Sequence, residues 1–308
     1  TDETVQSGVT VLRCNAAYVS AVDVRGGAPG VRETDVLAPE NLVGRCDAIV
    51  LTGGSVFGLA AADGVTSALS QSGTGLQISD NGPPIPIVPA AVLHDLGNDG
   101  DKNWGDTPPY RQLGAAACAS AAPDFELGSV GAGRGAMAGA ITGGLGSASI
   151  ILEGGITIGA LVAANPTGSV YFPDGKTFYA WPFEIGSEFG GQSPPSQKDT
   201  ADPFPLHSRL KQAPKAGANT TIAIIATSAD LTGVEAKRVA MMAHDGIARA
   251  VRPAHTPFDG DIVFVVATAK NALPDEAPLV RPAIIAQIGA AAADCLARAI
   301  ARAVFEAR

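Results

Sequence analysis

The sequence predicts an α+β fold, with sheets packed against helices in one domain spanning residues 1–308. Three observations predict it. Short β-branched apolar runs alternate with longer Ala-rich stretches of helical period. Turn residues punctuate these segments, and 37 glycines against 5% aromatic residues imply close backbone packing rather than disorder. No repeat and no linker-like composition divides the chain.

Taken in order, Gly8 to Cys14 and Asp47 to Leu51 read as strands, the second ending at Thr52-Gly53-Gly54. From Val56 to Leu69 the pattern Val56, Leu59, Ala60, Val65 and Leu69 suits a packed helix with small residues at close contacts. Ile85 to Leu93 is rich in Pro and Val and reads as extended, and Gly97 to Tyr110 as a polar loop. Leu113 to Ala122 is helical and ends before Pro123. Ser147 to Leu152 and Ile156 to Ala164, separated by Glu153-Gly154-Gly155, form a hairpin. Val170 to Phe172 and Phe178 to Trp181, around Pro173-Asp174-Gly175, form another. Ser187 to Ala216 carries almost no periodic apolar signal, and so long a loop tends to be functional. After it come a strand from Thr220 to Thr227 and a helix opened by the capping box Thr232-Gly233-Val234-Glu235. A strand from Ile262 to Thr268 and a helix from Pro282 to Glu306 complete the chain.

Composition narrows the function. A net charge of −9 without a basic stripe argues against a nucleic-acid partner. No apolar run is read as transmembrane, and Thr1-Asp2-Glu3-Thr4 lacks the basic and apolar regions of an export signal. The first residue is not Met, so a trimmed, processed or truncated chain is expected. Cys14, Cys46, Cys118 and Cys295 are scattered, with no histidine at ligand spacing. A structural zinc site is therefore not expected, while buried free thiols and a cytoplasmic location are; the chemistry read below needs no metal or organic cofactor.

The chemistry concentrates at Ala218-Asn219-Thr220-Thr221-Ile222, a turn running into a strand. Cutting the Asn219–Thr220 bond would give Thr220 a free α-amine with an ordinary pKa of about 7.7–8.0, able to act as base for its own hydroxyl. Thr221 is a second hydroxyl beside it, within reach of a substrate. A plain turn-to-strand junction reads the same way. Asp259 and Asp261, two apart before Ile262, put two carboxylates where they can orient a nucleophile and its amine, although a turn with solvated acids has the same pattern. Among four histidines, His94 follows an apolar run and is placed facing a cleft; His255, near Asp259, is the one plausible base for a serine hydrolase, but no serine occupies an elbow. The glycines from Gly128 to Gly139 contain G-x-G-x-x-A without a buried strand before it, so a dinucleotide site is rejected.

Several longer motifs carry a resemblance. They are Asp23-Val24-Arg25-Gly26-Gly27-Ala28-Pro29-Gly30, Leu51-Thr52-Gly53-Gly54-Ser55 with Phe57-Gly58-Leu59, Pro86-Ile87-Val88-Pro89-Ala90-Ala91-Val92, and Gly131-Ala132-Gly133 with Gly135-Ala136. The chain resembles the DmpA-type aminopeptidases, a family that includes β-aminopeptidases and nylon-oligomer (6-aminohexanoate-oligomer) hydrolases. The resemblance implies an αββα sandwich like that of the N-terminal-nucleophile hydrolases. It also implies self-cleavage into residues 1–219 and 220–308, a homotetramer, and a small amide or short-peptide substrate. By motif, Thr220 is the nucleophile, Asp259 and Asp261 orient it, and Asn165 in Asn165-Pro166-Thr167-Gly168 donates to the oxyanion. Many relatives continue the glycine stretch into Lys-Gly-Gly. This chain reads Ala140-Ile141-Thr142-Gly143-Gly144, so Thr142 stands where a lysine is expected near the nucleophile. Natural divergence and a substitution that leaves an uncut precursor both fit. The alternative is a non-catalytic binding or scaffold protein that retains the fold.

Overall fold

The computed structural model describes residues 1–195, 204–212, 219–274 and 277–307. Its organising element is β1 (Val9–Val24), much longer than the expected Gly8 to Cys14 strand. Its pairing register breaks between Arg13 and Tyr18, a bulge that bends the strand. The part before the break pairs antiparallel with β3 (Arg45–Thr52), and Val19 to Val24 pair antiparallel with β10 (Ile262–Asn271). Beyond β3 lie β4 (Ala90–Val92) and β2 (Val31–Arg32). Beyond β10 lie β9 (Thr220–Ala229), β8 (Thr157–Asn165) and β7 (Gly144–Ile151). A separate ribbon joins β5 (Met137–Ala138) to β6 (Ile141–Thr142).

Because β1 belongs to both halves, the eight-stranded ribbon folds on itself into two facing layers. Ile49, Leu51, Ala91 and Leu93 from one half share a buried cluster with Leu145, Ala163, Ile222, Ile224, Ile262 and Phe264 from the other. The strand side chains between these, such as Ala48 and Val50, face outward onto α1 (Ala61–Gln71) and α2 (Tyr110–Ala119). In the second layer Ala223, Ile225, Val263 and Val265 face α3 (Gly233–Ala250) and α4 (Val280–Phe305). The result is the expected αββα sandwich. Burial on both faces explains why these strands read as continuous apolar runs.

Small residues let the helices approach closely. A Cβ on Gly146 of β7 would lie 2.0 Å from the Ala299 carbonyl oxygen of α4. The α4 helix is long and apolar enough to cross a membrane, with a mean hydropathy of 1.5, contrary to the sequence expectation; 67% of that stretch is buried in this core. All four cysteines are buried free thiols.

Several boundaries move. The helix expected from Val56 begins as a 3-10 turn over Ser55–Ala60, because left-handed Gly54 and Ser55 turn the chain sharply first. The Val170–Trp181 hairpin reduces to a bridge between Tyr171 and Phe178. The Glu153-Gly154-Gly155 hairpin forms as expected, with positive φ at both glycines, and Thr232 and Glu235 close the capping box. Of the loop expected over Ser187 to Ala216, residues 196–203 and 213–216 lie outside the described residues. In its described part, the Glu184 carboxylate accepts from the Phe189, Gly191 and Gln192 amides, and Phe189 is buried.

Candidate active site

Asn165 ends β8 and Thr220 begins β9, and the antiparallel register places them directly opposite one another. Leu161 and Ala163 face the inter-sheet core, so Asn165 faces it too; Thr220 follows Ile222 and Ile224 to the same side. Both residues are buried at the mouth between the layers. The Thr220 hydroxyl donates to the carbonyl oxygen of Asn219 at 2.5 Å. That oxygen also accepts the Gly260 amide at 2.9 Å. Gly260 can approach this closely because it has no side chain: a Cβ there would lie 2.8 Å from Thr220 Oγ1.

The two acids flank this glycine and are both buried. Asp261 Oδ1 accepts from the Thr221 amide at 2.8 Å, which fixes the start of β9. Its Oδ2 accepts from the His255 amide at 3.1 Å and lies 2.8 Å from His255 Nδ1. Burial works to depress the His255 imidazole, but the Asp261 carboxylate outweighs it and holds the ring above its ordinary value. His244 packs edge-on to that ring, its centroid 5.0 Å away, and burial pulls its pKa down to about 4. Asp259 accepts from the Thr167 amide at 2.9 Å and from Thr256 Oγ1 at 2.5 Å, tying the turn after Asn165 to the Asn219 junction, with which it forms a bridge. Burial, with the Asp261 charge beside it, pushes the Asp259 carboxyl up.

A cavity of ≈ 410 Å³ opens onto Thr220. Its walls include Pro29, Val31, Ser55, Leu59 and His94. His94 lines this cavity, and its carbonyl lies 3.4 Å from Asn165 Nδ2. Ser55 brings the end of the Gly53-Gly54-Ser55 motif to this wall. Beneath it, buried Asp95 accepts the Gly54 amide at 2.7 Å and Ser7 Oγ at 2.6 Å, with burial raising its pKa. A Cβ on Gly53 would strike Asp95 Oδ2 at 2.1 Å.

Two expectations are corrected. Thr221, expected to reach substrate, points the other way: side chains alternate along β9, so it shares the face of Ala223 and Ile225, toward α3 and α4. Its buried hydroxyl finds no hydrogen-bond partner among the described residues. Thr221→Val is accordingly expected to leave activity unchanged and to raise stability by ~1 kcal/mol, read as a higher melting temperature. Thr142, expected beside the nucleophile, is exposed on β6 and lines a different cavity with Tyr171, Phe189 and Phe305. The cation at the junction is Arg209, which the sequence reading missed. Its Nη1 donates to Asn219 Oδ1 at 2.7 Å and its Nη2 lies 3.4 Å from Asn165 Oδ1. Gly260 was also missed, although its position between two acids was a visible signal. His255 is placed with Asp261 and His244, not with a serine. Among the described residues, no cluster of His, Cys, Asp or Glu is arranged to hold a metal.

A hydroxyl beside a doubly hydrogen-bonded carbonyl, with carboxamides and carboxylates converging at one strand junction, is an arrangement suited to acyl transfer. The family model of peptidase family S58 matches residues 1–308. An uncharacterized aminopeptidase of Mycobacterium tuberculosis (strain ATCC 25618 / H37Rv) is 45% identical over 308 residues, covering 98% of this chain and 86% of that protein. The 6-aminohexanoate-oligomer endohydrolase of Paenarthrobacter ureafaciens is 30% identical over 278 residues, covering 87% and 71%. In fold, the chain is similar to the L-aminopeptidase D-Ala-esterase/amidase of Ochrobactrum anthropi, described as a variant of the Ntn hydrolase fold, with a TM-score of 0.65 at 21% identity over 100% of this chain and 81% of that one. With the whole chain matched and these relatives beside it, this protein belongs to peptidase family S58 and is a hydrolase of the aminopeptidase type.

Proposed function

We propose that this chain is a self-processing amide hydrolase that cuts itself between Asn219 and Thr220 and then uses Thr220 as an N-terminal nucleophile. The observation that carries the reading is the Thr220 hydroxyl lying 2.5 Å from the Asn219 carbonyl oxygen, with the Gly260 amide donating to that same oxygen. Attack by Thr220 Oγ1 on the Asn219 carbonyl carbon forms a C–O bond. The hydroxyl proton passes to the departing nitrogen, and the C–N bond breaks. Water hydrolyses the resulting ester, releasing the Asn219 carboxylate and the Thr220 α-amine. In turnover the same hydroxyl attacks a substrate amide, the amine carries the proton, and Asn165 helps hold the oxyanion.

The small fragment, 220–308, stays in place in this reading. It contributes β9, β10, α3 and α4, and β9 pairs with β8 of the large fragment while β10 pairs with β1. Substrates are short peptides with a free amino end, β-aminoacyl amides or 6-aminohexanoate oligomers. The protein works as a homotetramer in the cytoplasm. The test is a denaturing gel with N-terminal sequencing of the smaller band. It is run beside a screen against p-nitroanilides of α- and β-amino acids and a 6-aminohexanoate dimer. Co-purifying fragments, the smaller beginning at Thr220, with hydrolysis of one of these classes, are expected. An intact chain that hydrolyses none of them sinks the reading.

A further inference from the structure

The half-buried guanidinium of Arg209 sits where, among the described residues, four acceptors converge. Its Nε donates to the Gly139 carbonyl at 2.6 Å, and its Nη2 to the Met137 carbonyl at 2.7 Å. These backbone anchors hold the planar fork still. Its remaining donors then reach the carboxamide on each side of the junction, Asn219 at 2.7 Å and Asn165 at 3.4 Å. The Met137 amide donates in turn to Asn165 Oδ1 at 2.9 Å, so one small network fixes the residue that supplies the scissile carbonyl and the residue opposite the nucleophile. Burying such a cation is costly unless its donors are used. Burial lowers the Arg209 pKa to about 10, with Asp259 opposing the fall, so the group stays charged at neutral pH.

We propose that Arg209 is a positioning residue for self-cleavage: it clamps Asn219 and Asn165 across the junction and supplies the positive charge that favours the oxyanion developing on the Asn219 carbonyl. The proposal rests on Thr220 being the nucleophile. Arg209 lies upstream of the cut and remains with the large fragment, so its action on cleavage can be read before any substrate is added.

The experiment follows cell-free synthesised full-length chains by gel, as parent, Thr220→Ala, Arg209→Met and Arg209→Lys. The two Arg209 variants are also made with Thr220→Ala, so that melting temperatures compare uncut chains. Arg209→Met is expected to slow cleavage by about 100-fold with a melting temperature within about 4 °C of its uncut parent. Arg209→Lys is expected to restore part of the rate and to lose it as pH rises through the titration of a lysine lowered by burial, over a range in which the parent does not fall. A Thr220→Ala chain that still cuts itself sinks the nucleophile reading beneath the proposal. With Thr220→Ala uncut, a parental rate in Arg209→Met overturns the Arg209 assignment alone. So does a slow rate matched by a collapsed melting temperature, since Arg209 would then only pin its segment.

Discussion

Thr220→Ala is expected to leave the chain uncut and to abolish amide hydrolysis, with a loss of at least ~10⁴-fold. In the proposed mechanism Thr220 supplies the reacting atom itself, and removing a nucleophile from a hydrolase costs several powers of ten. On the rate scale, 10⁴-fold corresponds to about 5.4 kcal/mol of activation free energy. The fold should survive, because Thr220 is the first residue of a strand held on both sides by β8 and β10, and the neighbouring core residues are untouched. Thr220→Ser keeps the hydroxyl and is expected to retain cleavage. The measurement is a gel time course with the amide assay, beside a thermal melt. A Thr220→Ala protein found as two fragments would show that another group makes the cut.

Gly260→Ala is expected to have the second largest effect, through space rather than backbone conformation. The added Cβ would lie 2.8 Å from Thr220 Oγ1, 2.8 Å from the Ala28 carbonyl oxygen and 3.2 Å from Pro29 Cα. Two of these neighbours are backbone and cannot swing aside, so the 259–261 segment must move. The Gly260 amide then leaves the Asn219 carbonyl, which it meets at 2.9 Å. Losing one preorganised donor of this kind costs about 2.7–4 kcal/mol, or roughly 10²- to 10³-fold in cleavage rate. Overpacking should add a stability loss of about 1–3 kcal/mol. Melting is compared in the Thr220→Ala background, where neither chain is cut. Cleavage of Gly260→Ala at the parental rate would remove Gly260 from the site.

The parts of the site differ in how legible they were. The Asn219–Thr220 junction was visible because a hydroxyl between a turn and a β-branched run has a local pattern. Asp259 and Asp261 were visible as a pair, but their work was not. Each accepts backbone amides from distant segments, at Thr221 and at Thr167, and only the folded chain brings those donors to them. Asn165 came from resemblance, since nothing in its own neighbourhood marks a strand end that faces Thr220. Arg209 had no signal at all. It stands in a segment without periodicity, and its acceptors among the described residues are Met137, Gly139, Asn165 and Asn219.

The misplacements of Thr221 and Thr142 share one cause. Position along a chain does not state orientation. One residue along β9 turns a side chain from the inter-sheet mouth to the helical face. Thr142 is close in sequence to the strand that borders the site, yet it sits exposed on a two-residue ribbon edge, and the cation arrives from elsewhere.

Local sequence was enough for the α+β character, the apolar runs that become strands buried on both faces and the family resemblance, and it singled out Thr220 as the candidate nucleophile. These are local or pattern properties, set by side-chain period, turn chemistry and residue type. The tertiary structure decided the rest: that β1 bends and joins two layers, that Asn165 meets Thr220 across a register, that Gly260 polarises the carbonyl, and that Arg209 rather than residue 142 carries the charge. These are contacts between segments far apart in the chain, which packing brings together and local sequence does not encode.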